Sequence, residues 1–171
     1  MDEKGFSPLM TAAAYDSQES LDVLLEFDPN LDVINPSGKT ALMLACQSGH
    51  VEIAVRLLDE DAGVEAGEGT SSPLHWAVDS NSINIIRRLI EYDCDVNAID
   101  ECSGWTPLIR LASVTGHAGC GQELLDNGAE IDYEDPEGKT ALMQATVNNH
   151  HELVKVSLLR KIKFNVKIFK K

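Results

Sequence analysis

Five histidines and four cysteines are the side chains with which this chain could hold a metal ion or attack an electrophile, and their spacing argues against both. Cys46, Cys94, Cys102 and Cys120 form no C-x-x-C pair and are too few and irregular for a disulfide framework. They read as reduced thiols, Cys102 in a turn and the other three buried or half-buried. His150 and His151 are adjacent, so on a helix they point in different directions and do not face one ion. His75 is the fourth residue of a helix-start motif, where an imidazole bonds locally, while His50, His117 and His150 follow turn residues and brace the loops beside them. No G-x-S-x-G elbow and no phosphate loop occurs, and Gly67-Glu68-Gly69 is an acidic turn that makes a poor phosphate cradle. The pattern describes a non-enzymatic chain without cofactor or metal.

Binding chemistry is the other possibility, and Trp105 and Arg110 carry it. They lie five residues apart across one helix start, and both types are enriched where protein interfaces concentrate their energy. The surrounding stretch, Gly104-Trp105-Thr106-Pro107-Leu108, is otherwise explained by local physics. Gly104 makes the turn, the Thr106 hydroxyl can accept an orphan backbone N–H as N-cap, and Pro107 stands at the first helical position, where its missing donor costs nothing. Trp105 is left over. The plainer reading has Trp105 shielding a neighbouring turn and Arg110 pairing with an acidic neighbour. Trp76 occupies a more inward position and reads as core.

The elements that must position these residues repeat along the chain. The cap unit recurs at Ser7-Pro8-Leu9, Thr40-Ala41-Leu42, Ser72-Pro73-Leu74, Thr106-Pro107-Leu108 and Thr140-Ala141-Leu142, with starts 33, 32, 34 and 34 residues apart by subtraction. Each is followed by a second apolar-periodic stripe, such as Val51, Ile53, Ala54, Leu57 and Leu58. The pattern predicts short inner helices near 7–15, 40–48, 72–80, 106–115 and 140–148, and outer helices near 17–27, 50–60, 82–92, 117–127 and 150–160. Small residues at Ala12, Ala45, Ala77 and Ala145 allow close stacking. Outer-helix stops fall at Asp28, Asp61, Asp93 and Gly128, where a left-handed residue is required. Repeat four has one extra residue before Gly116, and Gly119 and Gly121 in its outer helix predict the most mobile interior helix.

A period near 33 with Ser/Thr-Pro-Leu-His-x-Ala resembles the ankyrin signature. The resemblance implies a mainly α solenoid of five helix-turn-helix repeats linked by β-hairpin-like loops, over residues 1–160. The repeats run near 5–37, 38–69, 70–103, 104–137 and 138–160, with a basic tail at 161–171. Four stretches, namely 37–46, Leu74-His75-Trp76-Ala77, Ser103 to Leu108 with Arg110, and Val147 to His150 with Glu152 to Val154, resemble in particular the arrays of the fibronectin type III and ankyrin repeat proteins. That resemblance implies a non-enzymatic nuclear or cytosolic adaptor, with an intracellular setting. Relative to it, the fibronectin domain and a sixth repeat are expected and not found.

In such a stack the turn tips and the exposed side of the inner helices line one concave surface, free of packing constraint. Register places Lys39, Gln47, Asp79, Ser103, Trp105, Arg110, Lys139 and Asn148 there as the candidate protein-binding residues. Pro36, Ser37, Ser48, Glu68, Ser71, Ser80, Cys102, Ser113, Val114, Glu137 and Val147 flank them.

Charge narrows the partner. The net charge is −14, but residues 1–154 hold seven basic against 28 acidic residues, a net −21, while residues 155–171 carry +7. An acidic body repels phosphate and disfavours nucleic acid, and it favours a protein partner with a basic segment. No apolar run reaches membrane-spanning length and the opening residues show no leader pattern, so neither a span nor secretion is expected. The array is expected to be a monomer. After Leu159, Lys161 to Ile168 alternates charged or polar with apolar residues, a period that suits a strand better than a helix. The expectation is an abnormal terminus, frayed or loosely packed; alternatively it is a basic arm that docks on acidic surfaces. A truncated structural array without its own partner is the remaining functional alternative.

Overall fold

The computed structural model describes residues 5–65 and 71–168, with side chains described through 162. Among the described residues, ten helices alternate between two layers. The inner layer is α1 (Pro8–Ala14), α3 (Ala41–Ser48), α5 (Pro73–Asp79), α7 (Pro107–Val114) and α9 (Ala141–Val147). The outer layer is α2 (Gln18–Leu25), α4 (Val51–Asp59), α6 (Ile83–Glu91), α8 (Ala118–Asp126) and α10 (His151–Ile168). Inner helices stack on inner and outer on outer along the array, so the apolar side that one helix pair cannot bury alone is covered by the next pair.

Each inner helix starts where its cap sits. The hydroxyls of Ser7, Thr40, Thr106 and Thr140 accept the backbone N–H of Met10, Met43, Ile109 and Met143, and Pro8, Pro73 and Pro107 open their helices. The small residues Ala12, Ala45, Ala77 and Ala145 are buried in the inner layer, where a larger side chain would push neighbouring helices apart. Asp28, Asp61, Asp93 and Gly128 all take the left-handed conformation that ends an outer helix, with φ between 48° and 95°. Among the described residues the connections are hairpin-shaped without becoming strands. They close through the Asn35 N–H on the Lys39 carbonyl, Asp100 on Trp105 and Asp135 on Lys139, at 3.0, 2.9 and 3.0 Å.

The extra residue of repeat four is absorbed in the last turn of α7. Elsewhere the closing bond comes from the residue after the left-handed one, as in His50 N–H to Ala45 O; here Gly116 itself bonds Leu111 O at 2.7 Å. Gly121 has a packing role: a Cβ there would overlap Leu153 Cδ1 from α10.

The strand-like reading of residues 161–168 is corrected, because α10 continues as helix to Ile168. Lys161 stands where the other outer helices have Asp or Gly, so no left-handed residue stops it. Extending a formed helix adds one backbone bond per residue fixed, whereas a lone strand has no ladder to join. Glu68, the Gly67-Glu68-Gly69 turn and the last three tail residues lie outside the described residues.

Candidate protein-interaction face

The face is built from one register position. Trp76 stands four residues after the cap of α5, and Arg110 occupies the same place in α7, so both project from the inner layer in adjacent repeats. Lys39, immediately before the cap of α3, reaches across from the other side. Its ammonium nitrogen lies 3.7 Å from the Trp76 ring centre, and the Arg110 guanidinium lies 4.9 Å away. The half-buried indole is thus flanked by two cations, each attracted by its ring quadrupole. Gln47 Oε1 accepts from Lys39 Nζ at 2.8 Å and holds that side chain over the ring.

Arg110 is fully engaged. Its Nε and Nη2 donate to the two carboxylate oxygens of Asp79 at 2.8 and 2.6 Å, the bidentate fork that suits guanidinium and carboxylate. Its Nη1 donates to Ser71 Oγ at 3.0 Å and to Asp100 Oδ2 at 3.3 Å. Asp100 in turn accepts the Ser71 hydroxyl and the N–H groups of Cys102 and Ser103 at 2.8 and 3.1 Å, shaping the turn that leads to Trp105. One arginine therefore ties the turn before α7 to the end of α5 and to the ring between them.

The electrostatics follow from these contacts. Burial alone pushes the Asp100 carboxyl up, but the hydrogen bonds from Ser71, Ser103 and Cys102 outweigh it and hold the group below the usual carboxylate range. Burial, helped by the Arg110 charge, lowers Lys39. Burial also lowers His75. The tautomer of His75 follows from its neighbours: Nδ1 faces the Ser72 N–H at 3.2 Å and must accept, so Nε2 carries the proton and donates to the Trp105 carbonyl at 2.9 Å. Two further histidines meet the backbone: His50 Nδ1 lies 3.0 Å from the Ala13 carbonyl of the preceding repeat, and His117 Nδ1 accepts locally from the Cys120 N–H, whereas the buried Nε2 of His150 has no hydrogen-bond partner.

Of the residues singled out in the sequence, Lys39, Gln47, Asp79 and Arg110 come together around Trp76, and Ser103 joins through Asp100. Trp105 is half-buried, with its carbonyl taken by Asp100 N–H and His75 and its N–H facing Ser103 Oγ at 3.3 Å. Lys139 pairs with Glu137, and Asn148 donates to the Gln144 carbonyl, both exposed in repeat five and apart from the cluster. Trp76, which the sequence assigns to the core, does pack against it as well as lying beside the two cations, whereas Asp100 is not among the residues the sequence singles out. The signal for Trp76 was its shared register with Arg110; for Asp100 it was the turn position that Asn35 and Asp135 also fill.

Two layers of short stacked helices, with polar and aromatic side chains displayed on the inner one, define a repeat scaffold of the kind that presents a surface to other proteins. The chain belongs to the ankyrin-repeat family: it matches the ankyrin repeats (3 copies) family over residues 9–100 and 74–168. It is 32% identical over 157 residues to the ankyrin repeat protein nuc-2 of Neurospora crassa, covering 91% of this chain and 15% of that one. The mouse fibronectin type 3 and ankyrin repeat domains 1 protein is 45% identical over 56 residues, 33% of this chain and 16% of its own length. The ankyrin repeat and KH domain-containing protein mask-1 of Caenorhabditis elegans is 32% identical over 171 residues, 98% of this chain and 6% of its own. The chain therefore spans about a sixth or less of these relatives. Ankyrin repeats generally mediate protein–protein interaction and are typically non-enzymatic. Among the described residues no helix is long and apolar enough to cross a membrane.

Proposed function

We propose that this chain is an adaptor module that binds a protein segment across the concave side of repeats two to five, with the Lys39–Trp76–Arg110 stack at its centre and Trp105 beside it. The observation that carries the reading is the indole held between two cations on the inner layer. Core packing does not require that arrangement, and it gives a partner a rigid aromatic and polar platform. Exposed Val114 and Val147 extend the surface with apolar contact area towards repeat five. Arg110 positions the platform while Lys39 and Gln47 meet the partner. The acid lies largely on the outer helices and their loops, so a basic segment is drawn to the body as a whole by steering. The setting is intracellular, cytoplasm or nucleus, consistent with free thiols at Cys46, Cys94 and Cys120 that are all buried.

The test is selection of peptides from a displayed library on the intact chain, followed by binding measurements on a Lys39→Glu/Gln47→Arg variant whose melting is unchanged. Selected peptides are expected to lose at least about tenfold in affinity, the loss of a single good interface contact. Peptides that bind wild type and variant equally would place recognition elsewhere.

A further inference from the structure

We propose, resting on the interaction face described above, that the bound segment is selected through the carboxylate of one aspartate or glutamate side chain, which seats on Lys39 Nζ and Gln47 Nε2 beside the Trp76 ring.

Charge balance singles out Lys39. Among the described side chains, every other lysine and arginine lies within ion-pair distance of an Asp or Glu oxygen. With 28 acidic against 14 basic residues, such pairing is the default, and Lys39 is the exception. It donates instead to the neutral Gln47 Oε1 at 2.8 Å and stands over the Trp76 ring at 3.7 Å. The carboxylates of the cluster, Asp79 and Asp100, are both taken by Arg110. The ring attracts the ammonium without neutralising it. Burial, followed by the Arg110 charge, lowers the pKa of Lys39, so an anion that reaches it acts through less water than at an open surface.

The donors form a fork. Only the oxygen of an amide can accept from an ammonium, so Gln47 Nε2, with two N–H groups, is the amide atom left for a ligand, and the Gln47 side chain is exposed. Lys39 spends one of its three N–H donors on Gln47 and keeps two. A carboxylate meets both groups, one oxygen on Nζ and one on Nε2, in charge-assisted bonds. A monoanion matches one ammonium and one amide, whereas a phosphate dianion would bring twice the charge towards an acidic body. That body draws a basic segment by its long-range field; at the centre of the inner side the local requirement is the reverse. The expected segment is therefore basic in sum, with one acid in place.

The face also sets a spacing. Gln47 is seven residues after the cap of α3, and exposed Val114 and Val147 are eight and seven after the caps of α7 and α9, so all three stand at the same level of the inner layer. Helices α3, α5 and α7 stack in that order. At the usual spacing of packed helices, Gln47 and Val114 are about 16–20 Å apart. An extended chain covers that span in about five or six residues, so an apolar residue is expected at that distance from the acid.

The test uses peptides selected from a displayed library on the whole chain and weakened by the Lys39→Glu/Gln47→Arg substitution. They are expected to share one Asp or Glu whose replacement by Asn or Gln weakens binding to wild type at least about tenfold, the scale of one charge-assisted contact. Against Lys39→Met, which keeps an apolar stem over Trp76 and is used only with an unchanged melting curve, the same replacement should change affinity less than about twofold. Lys39→Gln should behave as Lys39→Met does, and Lys39→Arg should bring the sensitivity back. Amidation of the peptide's C-terminus should leave it in place, and shifting the apolar residue two positions along the peptide should weaken binding. The proposal is overturned, with the face left standing, if the peptides share no such acid, if its replacement costs the Lys39→Met and Lys39→Gln variants as much as wild type, or if amidation abolishes the sensitivity. Peptides indifferent to Lys39→Glu/Gln47→Arg overturn the face itself.

Discussion

Repeats three and five are built on the same cap, the same pair of helices and the same period, yet they hold together by different means. In repeat three the residue four places after the cap is Trp76, enclosed by side chains from the repeats on both sides. In repeat five that place is Gln144, whose amide nitrogen faces Asp135 at 3.4 Å in the turn just before its helix. Repeat three is closed by its neighbours: Ser71, Asp79 and Asp100 form one network with Arg110 of repeat four, while the buried Trp76 Nε1 makes no hydrogen bond. Repeat five leaves Met143, Leu158 and Leu159 exposed. A repeat's stability is thus set less by its own sequence than by how many seams it shares.

The comparison breaks most sharply at Arg110. Arg110→Ala leaves Asp79 and buried Asp100 without their cation and is expected to cost about 3 kcal/mol in chemical denaturation, the usual scale for removing one partner of a desolvated pair. Hydrogen exchange should show the loss concentrated in repeats three and four, with α10 almost unchanged; uniform loss along the array would deny that the centre is a distinct network. Next comes Gly121→Ala. Helix propensity favours the change by up to about 1 kcal/mol, but overlap with Leu153 opposes it by about 1–3 kcal/mol, so net destabilisation is expected at the seam between repeats four and five. A stabilised variant would instead support the reading of Gly121 as a source of mobility.

Acid sharpens the contrast further. The folded pKa of His75 lies below its ordinary 6.5, so the unfolded chain takes up the proton first and stability falls as pH drops from 6.5 towards the folded value. The slope is at most about 1.4 kcal/mol per pH unit. His75→Gln should flatten it, with thermal melts between pH 7 and 5 as the readout. Asp100, also lowered, holds its contribution until much lower pH, and loses it only as pH falls through a value below 3.8. The smallest effect concerns the end of α10. Lys161→Gly restores the left-handed stop and should remove the helical signal of residues 162–168 from circular dichroism, while the melting of repeats two to four stays in place.

The architecture could be read from the chain because its signals are local. Ser/Thr followed by Pro or Ala, a left-handed Asp or Gly and a 3.6-residue stripe each act within a few residues, and all five inner helices begin where they say. The tail was misread because its two-residue alternation is also a local signal, and it carries no information about whether a partner strand exists. The extra residue before Gly116 could be counted, while the place that absorbed it depended on the bond to Leu111. For the candidate site, register brought Lys39, Gln47, Asp79 and Arg110 to one side of the array, and Trp105 drew attention because nothing local accounted for it.

Sequence by itself determined the period, the helix starts and stops, the acidic body and the set of residues on the inner side. Only the tertiary structure decided which of them meet. Arg110 is 31 residues from Asp79 and 34 from Trp76 along the chain, distances over which neither propensity nor periodicity acts. Stacking places those helices side by side, and the guanidinium then settles where its charge, its donors and the ring face are satisfied together, on Asp79, Asp100 and Trp76.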